Sequence, residues 1–89
     1  MTIQQALDWQ DVSRPLMDQM RSAPYSTRKD LARMLGHIEG LVQELGSEEV
    51  EMRRSRKSET ATQQRLLQEI AEAINQFNQY VMLAHLMGG

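Results

Sequence analysis

The chain has 89 residues, with ten Lys or Arg against twelve Asp or Glu for a net charge of -2, and it contains no cysteine. That length allows one small domain, with a thin core unless its elements are long or copies assemble; the absent thiols exclude disulfides and thiolate metal sites. The charge balance gives no general attraction to phosphate or anionic lipid, and abundant Gln, Glu, Leu, Met, Ala and Arg beside few β-branched or aromatic residues predict an all-α fold.

The opening residues MTIQQALDWQ show no basic leader followed by an apolar core. No apolar run approaches the roughly 20 residues that span a bilayer, so the expectation is a soluble, cytoplasmic protein without a membrane partner. Thr2 and Gln5 spell a capping box, and Ile3, Ala6 and Leu7 follow at helical spacing towards Trp9. Ser13 is then placed to cap a second short helix with Pro15 in its first turn and Leu16, Met17 and Met20 along one side. Pro24 ends it by disfavouring the α conformation at Ala23. Residues 1–26 are thus an N-terminal arm of one or two short helices.

From Thr27 the pattern lengthens. Leu31, Leu35, Ile38, Val42 and Leu45 alternate steps of four and three, the seam of a packed helix, with Met34 and Leu41 on its flank. Gly46 and Ser47 are suited to stop and restart a helix, yet the heptad phase survives to Met52 with only Glu49 misplaced. The first long helix therefore spans about 28–45, with a continuation to about 55 left open. Thr60 and Gln63 form another capping box, and Leu67, Ile70, Ile74, Phe77, Val81 and Ala84 carry a second helix over about 60–87. Residues 27–89 are expected to fold as a long antiparallel hairpin and to assemble into a helical-bundle oligomer.

The run EEVEMRRSRKSE falls where the hairpin turns. A mixed-sign block at a helix junction is ordinarily solvated surface. The functional alternative has Arg53, Arg54, Arg56 and Lys57 clasping phosphates, helped by Arg65. Three neighbouring glutamates and the lack of an interleaved aromatic residue argue against it. His37 and His85 sit on different helices without a carboxylate at ligand spacing, and Glu69 and Glu72 belong to no motif with a nucleophile. No catalytic residue, cofactor or metal is expected. Gly36 and Gly40 share a face off the seam, either as a weakness in the helix or as a groove for another helix.

In YVMLAHLM, Tyr80, Val81, Met82, Leu83, Leu86 and Met87 surround the helix instead of striping it, so more than one neighbour must cover them. The arm, through Leu16, Met17 and Met20, is one candidate and a subunit or partner interface is the other. Trp9, between Asp8 and Asp11, is either a lid on the hairpin or an anchor for a target, with the arm mobile until bound.

In size, charge and helix content the whole chain resembles the small helical inhibitors and regulators encoded by bacterial phages and mobile elements, including antirepressors that disable a transcriptional repressor. It also resembles the helical-hairpin co-chaperones of type III secretion systems, whose last helix is likewise long and apolar. The first resemblance implies a repressor as target, the second a secretion component. The expected function is a homo-oligomeric, non-enzymatic protein that binds another protein and modulates it; the arm, absent from a bare hairpin, favours the regulator. A nucleic-acid accessory protein using residues 53–57 is the remaining alternative.

Overall fold

Four helices occur in the computed structural model, which describes residues 2–55 and 61–88: α1 (Ile3–Leu7), α2 (Trp9–Ser22), α3 (Tyr25–Ser55) and α4 (Ala61–Gly88). The two long helices pack together as the hairpin that the heptads predict, and no strand is present among the described residues. Thr2 opens α1 with a full capping box: its hydroxyl accepts the Gln5 N–H at 3.2 Å, and Gln5 Oε1 accepts the Thr2 N–H at 2.9 Å.

The second helix starts earlier than its signals suggest. It begins at Trp9 after Asp8, so Ser13 is not its N-cap and Pro15 lies in its interior. Pro15 withholds a hydrogen bond from the carbonyl of Asp11, an exposed residue that water can reach, which limits the cost of a proline there. The Ser13 hydroxyl instead donates to the Gln10 carbonyl at 3.3 Å. Ala23 is extended (φ -76°, ψ 156°), as the residue before Pro24 should be. Arg28 reaches back over this corner, donating to the carbonyls of Ala23 and Arg21 at 3.2 and 2.9 Å. A cation thereby satisfies carbonyls left over at the α2 C-terminus, where the helix dipole also favours it.

No break occurs at Gly46; α3 runs on for 31 residues to Ser55. A glycine inside a helix costs about 1 kcal/mol, whereas burying one large apolar side chain contributes about 1.5–3 kcal/mol. Leu45 and Met52 on either side are both buried, at 0% and 9% exposure, so the continuous helix wins. The seam comprises Leu31, Ile38, Val42 and Leu45 from α3 with Leu66, Ile70, Phe77 and Val81 from α4. It passes through Leu66; Leu67 and Ile74, expected at its centre, are half-buried on its flank. Thr60, expected to cap α4, lies outside the described residues.

Two polar links join the long helices, one of them inside the seam. Gln63 is fully buried, and its Nε2 donates to Glu49 Oε2 at 2.9 Å; Glu49 Oε1 also faces Arg53 Nε at 3.4 Å. Towards the other end of the hairpin the Tyr80 hydroxyl donates to Asp30 Oδ2 at 2.8 Å. One antiparallel register therefore holds from Asp30 to Glu49.

The arm packs on both long helices. Leu7 Cδ2, at the end of α1, lies 3.7 Å from where a Cβ on Gly46 would be, so the arm reaches past the middle of α3. Ala6, Leu16 and Ala23 enter the core at 1–3% exposure, with Leu7, Trp9 and Met20 packed at its edge. The molecule measures 52 × 19 × 16 Å, and the arm thickens the hairpin from the neighbourhood of Gly46 to the α2–α3 corner.

Candidate functional site

The last two turns of α4 are apolar on every side, and the hairpin register decides which side is buried. Val81 turns inward at 6% exposure, and Tyr80 and Ala84 are half-buried beside it. Met82, Leu83, Leu86 and Met87 point outward at 62%, 56%, 75% and 86% exposure. The arm does not cover them. Single exposed apolar residues are ordinary, but four within six positions of one helix form a contiguous patch of the kind that marks an interface.

Beside that patch runs an open apolar groove of about 370 Å³ between the α2–α3 corner and α4. Pro24, Ser26 and Thr27 form one wall, and Tyr80, Leu83, Ala84 and Met87 the other. Its walls are held from both sides. Thr27 donates its hydroxyl to the Pro24 carbonyl at 2.7 Å, and Asp30 holds Tyr80 in place. The hydrogen bond to Asp30 raises the Tyr80 phenol above its usual range, with burial and the Asp30 charge acting in the same sense. The phenol at the edge of the groove is therefore a neutral group at physiological pH.

The arm residues divide. Leu16 is buried, Trp9 and Met20 pack against the core, and Met17 is 37% exposed on the outer side of α2. Trp9 is the first residue of α2, in the position of a lid on the hairpin. At the basic corner Arg53 is engaged by Glu49 and Arg54 is exposed, while Arg56 and Lys57 lie outside the described residues.

One grouping escapes sequence reading. The hairpin places Glu69 and Glu72 of α4 beside His37 of α3, all three lining one shallow depression. Their separation in sequence gives no hint of this; only the register brings them together. Among the described residues no set of three or more His, Asp or Glu is arranged to hold a metal ion, and no helix is long and apolar enough to cross a membrane.

Gly36 and Gly40 lie on the exposed side of α3, with nothing within 4 Å of an added Cβ. Gly36→Ala with Gly40→Ala is therefore expected to stabilise the protein by about 1–2 kcal/mol, a rise of at least about 4 °C in melting temperature. Calorimetry checks this, and a fall in melting temperature would mean that another helix closes on this face.

No protein-family model, curated protein or solved structure matches the chain.

Proposed function

We propose that the chain is a non-enzymatic helical protein that binds another protein and modulates it, as a small regulator or inhibitor of the antirepressor type. The groove between the α2–α3 corner and the end of α4 carries this reading. It is apolar, within the size range of pockets that admit side chains or small ligands, and held by elements whose own cores are already filled. Its neutral walls and fixed corner suit an apolar anchor side chain from a partner, since a preformed site spares the partner the cost of ordering it.

Ser26 is exposed and lines the groove without entering the core. Ser26→Trp should fill the groove and leave the fold intact. With tagged protein in nuclease-treated lysate of the native host, a target retained by the wild type should be held at least about tenfold more weakly by Ser26→Trp, equivalent to about 1.4 kcal/mol. Equal retention by both proteins, or a target that disappears with nuclease, would refute the groove as the binding site.

A further inference from the structure

The groove occupies one flank of the α4 end; the rest of the patch faces outward. Met82 and Leu86 do not line the groove, and none of the described residues covers them. We infer that this outer face docks a second copy of the same chain, α4 against α4 about a twofold axis.

Two observations select that occupant. The first is charge. From Ala73 to Gly88 the chain contains no Asp, Glu, Lys or Arg, and its one titratable cation is His85. A twofold contact sets each surface patch against itself, so any charge at its centre meets its own like. A surface without Asp, Glu, Lys or Arg largely avoids that conflict, and loss of charged residues is the compositional mark of an interface core. A face evolved for a different protein would gain in rate and selectivity from complementary charges, and this one offers none.

The second is area. Met82 and Leu86, with Leu83 and Met87 that also rim the groove, present up to roughly 500 Å² per chain, so a symmetric pair buries at most about 1,000 Å², the threshold of a specific interface. The value lies at the low end of that range, so the pair forms and dissociates with concentration. The inference goes beyond the binding function proposed above, because it concerns a second copy docked on Met82 and Leu86, outside the groove, and leaves the identity of a target open.

The test is sedimentation equilibrium of the full chain up to about 1 mM. The mass of the wild type should climb from 10.3 kDa towards twice that value. Met82→Lys with Leu86→Lys should hold it at 10.3 kDa with unchanged helical circular dichroism. Lysine suits both positions for this purpose: it favours helix, complements the dipole at a helix C-terminus and repels its own copy across the axis. Should the double variant lose helicity, Leu86→Gln alone serves, read as a rise of at least about tenfold in the dimer dissociation constant.

A wild type that stays at 10.3 kDa throughout overturns the inference, as does a lysine variant that dimerises like the wild type. If the wild type is monomeric and the lysine variant loses a captured target, the face belongs to another protein, and the second copy is again ruled out. The two proposals fail separately: Ser26→Trp should still dimerise, and the lysine variant should still retain its target.

Discussion

Phe77→Ala is expected to leave little or no folded protein at 37 °C. Phe77 has 0% exposure and belongs to the core cluster to which α2, α3 and α4 all contribute. Removing a buried phenylalanine costs about 3–5 kcal/mol, because lost transfer energy and the cavity left behind act together. A natural domain of this length has roughly 4–13 kcal/mol of total stability, so one such change consumes much of it. Long helices cannot close in on the gap without shifting along their whole length, which puts this site towards the costly end. Urea melts followed by circular dichroism should show the midpoint falling by at least about 1 M, given a slope of about 1–3 kcal/mol/M. A midpoint shifted by under about 0.3 M would mean that the hairpin and arm do not share this core.

Leu16→Ala is the second large effect, expected at about 2–5 kcal/mol. It asks whether the arm is part of the folded body. Leu16 is 3% exposed, and Ala6 and Ala23 on either side of it in sequence are as deeply placed, so the arm contributes to one cooperative unit. An arm that stayed loose until it met a target would lose nothing by the substitution. The decisive readout is a single urea transition, moved to lower concentration, whether followed by Trp9 fluorescence or by helicity. An unmoved helical transition with an early fluorescence change would show a detached arm, and target capture would return to Trp9 and Met17.

Much of this architecture was legible in the residues. Heptad spacing identifies both long helices, the Thr2–Gln5 pair marks the first turn, and Pro24 marks the corner. The departures share one cause: tertiary packing overrides the local signals. Gly46 reads as a stop until Leu45 and Met52 are seen to bury on both sides of it. Ser13 and Pro15 read as a helix start, yet α2 begins at Trp9, which packs against the core. Leu66 and Leu67 are adjacent and equally apolar. A hydrophobic repeat drifts against the 3.6-residue turn, so the buried one of such a pair follows from the partner helix and not from its own sequence.

The same limit applies to the candidate site. A run such as residues 80 to 87, apolar but for His85, contains little contrast from which to read its inner face. Val81 turned inward and Leu86 outward are consequences of a register fixed elsewhere along the hairpin. The grouping of His37 with Glu69 and Glu72 depends on that register as well.

The uneven thickness of the molecule has a consequence for how it opens. Beyond Gly46 the described part of α3 buries a single apolar side chain, Met52, and the link to α4 there is the polar Glu49–Gln63 hydrogen bond. Free energies of partial opening follow the amount of apolar packing, so the turn end should separate at far lower cost than the end braced by α2. The protein is in effect hinged to unzip from its tip. Separation of α3 from α4 there would spare the groove and the outer face of α4, which ride on the part that melts last.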